Sequence, residues 1–506
     1  MTAWKVARHA PLTAPEPDAP VRLEARKGHA PGGGPFPGEE LQRCSKTLKI
    51  RPFEARLSRP THHHGLHAAP DLPADGLAPG AEAPPPRLER PRPVEKAPSE
   101  PPGPLRPGSE AVGLMRRFNR ELGLSPEDEA AKDALAREGP LKLFRVMPAQ
   151  FHADLAGPYA EAGRLFPRTP PAIPVCGDLH GGNFGAFRGP EGEPVFGIND
   201  FDQATEGSPE SDLDRLGASA ALAGLESGLS EAEVLDLVRS TGRAWVHTVQ
   251  ARAEGEDLEP PFLRHKHAEG PVRKLLEKSA ERTARAMLDE CCTRPPRLFA
   301  PGDEIQPVPL GEAAAVTAAV QDHLRQAGPL PHHLASPVRI LDCARKLKSG
   351  GSTYGLKRYW LLLETRHGEP LLLELKQLPP STVHRQDGNL DRADEQDCLR
   401  AWKGLGSAPN PLTGALRMDG TGWLVREVEP EKRNSKPEKM DAEQLASHFH
   451  QAAKVTGRAH AGTPERARAL SRWVGGDGEE GVERLARFSL AYARQVQADF
   501  EALRQA

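Results

Sequence analysis

The sequence is poor in cysteine and in aromatic residues, and it contains no long apolar run. Its six cysteines are widely scattered and form no CxxC pair, which argues against a disulfide framework. No segment approaches the length needed to span a membrane, and the first residues lack the apolar core of a signal peptide. The 506-residue chain is therefore expected in the cytoplasm.

The sequence also lacks an excess of either charge. Its 67 basic and 70 acidic residues give a formal net charge of -3. This balance argues against a general affinity for nucleic acid or for an anionic membrane. A small anionic ligand would have to be held by a local basic site. The expected partners are therefore small molecules, and the sequence does not indicate an oligomeric state.

Residues 1–108 differ in composition from the rest of the chain. They are rich in proline, glycine, alanine and charge, as in Ala81–Arg87. Such a segment buries too little apolar surface to offset the entropy lost on ordering, which predicts disorder. Three further regions follow from the local patterns: 109–335 is predicted to be mainly helical, 336–435 to be β-rich, and 436–506 to form closing helices.

Local patterns refine this division. Residues 141–156 predict a helix in two pieces, because Pro148 should break it. The helical pattern then continues from about 211 to 326, whereas 338–348 show a mixed pattern. Two apolar runs separated by a turn within 359–376 predict an antiparallel hairpin.

The most informative residues are polar ones beside glycines, in Cys176–Asn183 and in Ile198–Asp202. Each group follows a short apolar run that predicts a strand. An aspartate can accept the proton of an attacking hydroxyl, while asparagine and a second aspartate supply hard oxygen ligands to magnesium. Asp178 is thus the candidate catalytic base, and Asn183 and Asp200 are the candidate magnesium ligands.

Aspartate and asparagine beside glycine are also ordinary turn formers, and one such motif alone would favour that interpretation. Two motifs in succession, each after an apolar run, favour a catalytic site instead. Within the first motif, His180 would position the loop or face the substrate. Asp212 opens the next predicted helix, where it would cap the helix or anchor the loop by hydrogen bonds.

A glycine-rich turn precedes the predicted hairpin, and Lys376 ends the second hairpin strand. Glycine amides can approach phosphates closely, and a lysine then adds positive charge. Glu395, on the following predicted helix, would be the carboxylate partner of Lys376. A solvated lysine on an edge strand fits the sequence equally well. The candidate phosphate-binding residues of the turn are Gly350, Gly351, Ser352 and Gly355.

Three segments, Val175–Gly185, Phe196–Asp202 and Asp212–Leu216, resemble the bacterial family called domain of unknown function 2252. The resemblance extends from about residue 110 to about residue 470. Arg145 matches an arginine in the F-R-G segment of this family. The match implies binding of phosphate or substrate, or a structural salt bridge.

The catalytic loop also resembles that of aminoglycoside phosphotransferases and other kinase-like enzymes, which reads H-G-D-x-x-x-x-N and is followed by I-D-F/W. The resemblance places Asp178 on the catalytic aspartate, Asn183 on the magnesium asparagine and Asp200 on the magnesium aspartate. Asp202 would bind a second ion or support the first. The resemblance thus implies a phosphotransferase that uses ATP and Mg²⁺.

The order of the parts is unusual. In kinases the glycine loop, the strand lysine and the helix glutamate precede the catalytic loop, whereas here they follow it. The resemblance therefore implies an α+β, bilobal, kinase-like fold that is circularly permuted, which is feasible where the chain is cut at an exposed connection. It makes 109–335 the catalytic lobe, which 436–506 complete, and 336–435 the nucleotide-binding lobe. The backbone around Glu427 and Val428 would then receive the adenine.

The expected function is phosphoryl transfer from ATP to a hydroxyl group of a small molecule. Transfer of AMP is an alternative, because similar residues could act on a nucleotide bound in the reverse direction. A second alternative is a non-catalytic kinase-like module that binds nucleotide without turnover. The acceptor itself does not follow from the sequence or from the resemblance.

Overall fold

The computed structural model describes residues 103–293, 298–326, 339–347, 351–365, 368–383, 395–406 and 412–506. These residues belong to one compact unit. The predicted disordered segment lies outside the described residues except for 103–108, and Gly350 of the predicted turn lies outside them too. The described chain has a mixed α+β fold with antiparallel sheets.

The helices of the described chain are α1 (Ser109–Glu121), α2 (Pro126–Ala136), α3 (Pro140–Val146), α4 (Pro148–Ala156), α5 (Pro209–Glu226), α6 (Glu231–Glu254), α7 (Gly270–Ala280), α8 (Ala284–Cys291), α9 (Leu310–Gln326), α10 (Glu395–Gly404), α11 (Ala442–His460), α12 (Pro464–Val474) and α13 (Gly478–Gln505). The break between α3 and α4 confirms the helix predicted in two pieces. None of these helices is both long and apolar enough to cross a membrane.

The strands of the described chain are β1 (Ile173–Val175), β2 (Phe184–Arg188), β3 (Pro194–Ile198), β4 (Thr205–Gly207), β5 (Leu263–Arg264), β6 (Ile305–Pro307), β7 (Arg339–Lys346), β8 (Arg358–Glu364), β9 (Pro370–Gln377), β10 (Gly414–Met418), β11 (Thr421–Glu427) and β12 (Arg433–Asn434). Strands β8 and β9 form the predicted antiparallel hairpin.

The largest core lies among the helices. Helix α6 packs against α5, α11, α12 and α13, with Trp245 buried between its neighbours. Small residues let α5 and α13 approach closely, since a Cβ on Gly217 would come within 2.3 Å of the Ser489 hydroxyl. This helical core supports β1 and the loop that follows it.

A six-stranded antiparallel sheet forms the second layer, in the order β6-β7-β8-β9-β11-β10. The glycine-rich turn connects β7 to β8, and α10 follows β9. Helix α9 covers one face, where Val316 and Val320 pack against leucines of β8 and β9. Both β6 and α9 precede residue 336, where the β-rich lobe was predicted to begin.

The structure assigns a strand to the segment of mixed pattern and corrects one helical prediction. The mixed pattern of 338–348 belongs to strand β7, most of whose side chains are only half buried, so that no clear alternation marks it. The helical pattern of 211–326 is interrupted by β5 and β6. Both are short and pair across the chain with β3 and β7, contacts that local spacing cannot reveal.

Residues 103–108, which were predicted to be disordered, contain a buried arginine. Arg106 donates hydrogen bonds to Asp154 on α4 at 2.6 Å and to Asp499 on α13 at 2.7 Å. Tyr492 also donates to Asp154, and Gln495 donates to Asp499. The segment therefore joins the helical layer through a satisfied charge network rather than through apolar contacts.

Candidate active site

Asp212 anchors the loop that follows β1 through hydrogen bonds to its backbone. Its two carboxylate oxygens accept the backbone N–H groups of Cys176 and Gly177 at 2.7 and 2.9 Å. His460 contacts the same carboxylate, with 3.1 Å between Nε2 and Oδ2. Asp212 lies inside α5, whose cap is Ser208. The predicted anchoring of the loop therefore matches the geometry, and the predicted cap is wrong.

Asp178 lies at the centre of this loop and is 7 % exposed. Its Oδ1 accepts a hydrogen bond from Nε of Arg215 at 2.6 Å, and its Oδ2 accepts one from the Ser352 hydroxyl at 3.3 Å. Burial raises the pKa of Asp178, and the positive charge of Arg215 opposes this effect. One oxygen of Asp178 is thus fixed, and the other faces a hydroxyl group.

Asn183 and His180 shape the same loop. The Asn183 amide nitrogen donates to the Asp178 carbonyl at 2.6 Å, so the amide oxygen is the atom of this side chain that could bind a metal ion. His180 Nδ1 accepts the Gly182 N–H at 3.1 Å. Burial lowers the pKa of His180 well below its usual range, so its imidazole is neutral and can accept. Of its two predicted roles, this contact favours positioning of the loop.

Lys376 meets the second polar motif in one cleft. Its ammonium contacts the Asp202 carboxylate directly and lies 3.7 Å from Oδ1 of Asp200. Burial lowers the pKa of Lys376 to about 8, although Asp200 favours its charged form. Burial alone would raise the pKa of Asp200, but the charges of Lys376 and Lys432 hold it below its usual range. Lys376 is therefore a buried, paired lysine and not a solvated one.

The predicted pairing of Lys376 with Glu395 is wrong. Glu395 is the first residue of α10 and binds Arg417 at 2.7 Å, beside the turn between β10 and β11. Lys376 instead contacts the Asp202 carboxylate. The two side chains thus have separate partners, because α10 places its first turn against the end of the sheet and not beside Lys376.

The donor set suits magnesium only in part. Oδ1 of Asp200 is buried without a hydrogen-bond partner, and the Asn183 amide oxygen is a second oxygen that could bind the ion. Two protein oxygens and the phosphates of a nucleotide are a common magnesium environment. Asp202 is occupied by Lys376 and does not fit the predicted metal role in this state. Among the described residues, no group of three His, Cys, Asp or Glu side chains could hold an ion alone.

The glycine-rich turn is closed over Asp178. The Ser352 carbonyl accepts a hydrogen bond from the Lys132 ammonium of α2 at 2.9 Å. Gly355 has a φ of 86°, and a Cβ there would come within 2.9 Å of Asp128. The turn thus rests on α2 and α3, which precede the catalytic loop in the chain.

Lys132 should make stability depend on pH. Burial lowers its pKa to about 8, whereas the unfolded value is about 10.4. Between these values unfolding takes up a proton, so a rising pH stabilises the native protein. Relative to Lys132→Met, the wild type should gain on the order of 1 kcal/mol between about pH 8 and about pH 9.5 in chemical denaturation. A difference that stays constant with pH would contradict this expectation, and exposed Lys403→Met is the control.

Arg145 lies beside the loop that follows β1. A Cβ on Gly182 would come within 3.1 Å of its guanidinium carbon, and its buried Nε has no hydrogen-bond partner. The charge of Arg145 also lowers the pKa of both Asp178 and His180. Its guanidinium is thus close enough to attract an anion at Asp178.

The cleft-facing side of the sheet carries a charge cluster. Glu374 of β9 lies between Arg358 and Arg426, with contacts of 3.0 and 2.7 Å. The Val428 N–H donates to the Leu372 carbonyl at 2.9 Å.

The Val428 N–H is therefore engaged within the sheet in this state, and the adenine contact at Glu427 and Val428 stays a prediction. Glu427, the other residue assigned to adenine, directs its side chain to Arg188 at 2.8 Å.

A family model described as "Uncharacterized protein conserved in bacteria (DUF2252)" matches residues 133–506. The chain belongs to the DUF2252 family. The family assignment is thus confirmed, and the match extends further toward the C-terminus than the range expected from the motifs. No curated protein and no solved structure matches the chain.

Three residues of the candidate site in this DUF2252 protein were not predicted from the sequence. Lys132 and Glu374 are single charged residues whose partners are distant in the chain. Arg215 could have been found, because it lies one helical turn after Asp212 and therefore on the same side of α5.

Proposed function

We propose that this protein is a phosphotransferase that uses ATP and Mg²⁺ to phosphorylate a hydroxyl group of a small molecule. One observation carries the proposal. Lys376 of the sheet contacts Asp200 and Asp202. These two aspartates follow the catalytic loop in the chain, and Lys376 is remote from them in sequence. A buried lysine, a loop aspartate and candidate magnesium ligands thus meet in one cleft, the combination that phosphoryl transfer requires.

Each residue has a role in this proposal. Oδ2 of Asp178 accepts the proton of the acceptor hydroxyl, while Arg215 fixes the other oxygen of the carboxylate. Asn183 and Asp200 hold the magnesium ion, which would neutralise charge on the phosphates. Lys376 leaves Asp202 to contact the phosphates when the nucleotide binds.

The arrangement of the sheet supports a permuted, kinase-like fold. The glycine-rich turn connects β7 and β8, Lys376 lies on the next strand, and α10 follows. Kinases arrange the glycine loop, lysine strand and glutamate helix in this relative order, but before the catalytic loop. The pairing of Glu395 with Arg417 departs from that pattern, and the cluster around Glu374 takes a place beside Lys376.

The described state is closed. Ser352 contacts Asp178 at 3.3 Å, which leaves no space between them for the hydroxyl group of another acceptor. Binding of a small-molecule acceptor in this proposal therefore moves the turn off Asp178 and breaks the contact between Lys132 and the Ser352 carbonyl. The affinity for nucleotide is assigned mainly to its phosphates, because the Val428 N–H is already bonded.

The test is stabilisation by nucleotide. Mg²⁺-ATP should raise the melting temperature of the wild type, because a ligand that binds only the native state stabilises it. Lys376→Met should weaken this binding about 10- to 100-fold, since a charge-assisted hydrogen bond to phosphate is lost. Lys357→Met is the matched control, because Lys357 is 52 % exposed in the same sheet region.

Two results decide the outcome. No shift for the wild type at saturating Mg²⁺-ATP would overturn the proposal. In turnover assays with labelled ATP, transfer of the γ-phosphate supports phosphoryl transfer, whereas transfer of the α-label would establish the AMP-transfer alternative. Binding without any turnover would establish the non-catalytic alternative.

A further inference from the structure

The Ser352 hydroxyl occupies the place where an acceptor hydroxyl would be activated. Its Oγ donates to Oδ2 of Asp178 at 3.3 Å, and Ser352 is 9 % exposed. Arg215 holds the other oxygen of Asp178, so Oδ2 is the oxygen left to receive a proton. The candidate base and a nucleophilic hydroxyl are thus already in contact.

Neighbouring residues hold the turn that contains Ser352 in place. The Ser352 carbonyl is fixed by Lys132, which is fully buried at 0 % exposure and lies over the Phe118 ring. On the other side, a Cβ on Gly351 would come within 3.4 Å of the Arg145 carbonyl. The turn therefore presents Ser352 to Asp178 in a defined position, which favours proximity-driven reaction.

We propose that Ser352 is a site of self-phosphorylation, at which the protein transfers a phosphoryl group to its own glycine-rich turn. The inference rests on the proposed function, because a nucleoside triphosphate must be the donor. The bond from Oγ of Ser352 to the γ-phosphorus forms, and the bond from that phosphorus to the bridging oxygen of the diphosphate breaks. Asp178 receives the proton, and the nucleoside diphosphate leaves with the electron pair.

The product should alter the turn. A phosphoserine carries nearly two negative charges, which repel the Asp178 carboxylate across the former 3.3 Å contact. Arg145 and Lys132 lie beside the turn and supply positive charge there. The modified turn therefore moves off Asp178, and the oxygen that Ser352 occupied becomes accessible to another acceptor.

The experiment measures incorporation of phosphate into the full-length protein. Wild-type protein is incubated with Mg²⁺ and ATP, ADP release is measured, and the peptide that contains Ser352 is analysed by mass spectrometry. We expect phosphate on Ser352 at a rate that does not depend on protein concentration, since the reaction is intramolecular. Asp178→Asn should lower this rate about 100-fold or more, and Thr353→Ala should retain the label on Ser352.

The readouts separate this inference from the proposed function. ADP release without phosphate on Ser352 overturns the self-phosphorylation alone. Phosphate on Ser352 that persists in Asp178→Asn also overturns it, because a contaminating kinase would then be the source. If Mg²⁺-ATP neither binds nor turns over, both proposals are wrong. Because the site is identified in wild-type protein, the result does not depend on whether Ser352→Ala folds.

Discussion

Asp178→Asn is expected to lower ATP turnover by about 100- to 10,000-fold while Mg²⁺-ATP still binds. Asparagine keeps the size of the side chain but cannot accept the proton of an attacking hydroxyl. The change also leaves the buried Arg215 without its carboxylate, so the variant should be less stable. ADP release and the nucleotide-induced shift of the melting temperature, measured together, separate lost chemistry from lost binding.

Asp214→Asn is the matched control for this experiment. Asp214 lies on the same helix as Asp212, is fully buried, and has no hydrogen-bond partner on either carboxylate oxygen. Burial raises the pKa of Asp214 well above its usual range and so favours its neutral form, which asparagine resembles closely. Turnover should be unchanged in Asp214→Asn. If Asp178→Asn turned over ATP at the wild-type rate, Asp178 would have no role in the reaction.

Arg106→Met is expected to destabilise the protein by about 3–5 kcal/mol, because it leaves two buried carboxylates without their cation. Arg106 bridges Asp154 and Asp499, and the three side chains are at most 6 % exposed. Burial raises the pKa of Asp499, and Arg106 opposes that effect. Urea denaturation at neutral pH would measure the free energy of unfolding.

The control for Arg106 is an exposed pair between helices. Arg243 binds Glu479 at 2.9 Å, but both side chains are more than half exposed. Arg243→Met should therefore change stability by no more than about 1 kcal/mol. If Arg106→Met were equally mild, the network around Asp154 would not hold the segment before α1 to the helical layer.

Local chemistry explains what could be predicted about the site. Asp178 and Asn183 follow a short apolar strand and stand beside glycines, so their turn conformation is encoded within a few residues. The hairpin of β8 and β9 follows from two apolar runs and a turn. Membership in DUF2252 likewise rested on contiguous motifs, and the family match confirms it.

Long-range pairing explains what could not be predicted. The carboxylate partner of Lys376 depends on how the sheet meets the loop after β3, and the structure selects Asp202 over Glu395. Strand β7 shows no alternation because its neighbours cover it only partly. The closure of Ser352 onto Asp178 depends on Lys132, which is remote from both in the chain.

The sequence by itself determined the family, the α+β class and the loop that carries Asp178 and Asn183, because these depend on short-range patterns of apolar residues and turns. Only the tertiary structure decided which charges share the cleft. A buried ion pair forms between the charged groups that the packed layers bring within a few ångströms of each other. The spacing of residues along the chain does not predict that distance. The contacts of Arg215, Lys376 and Ser352 are of this kind.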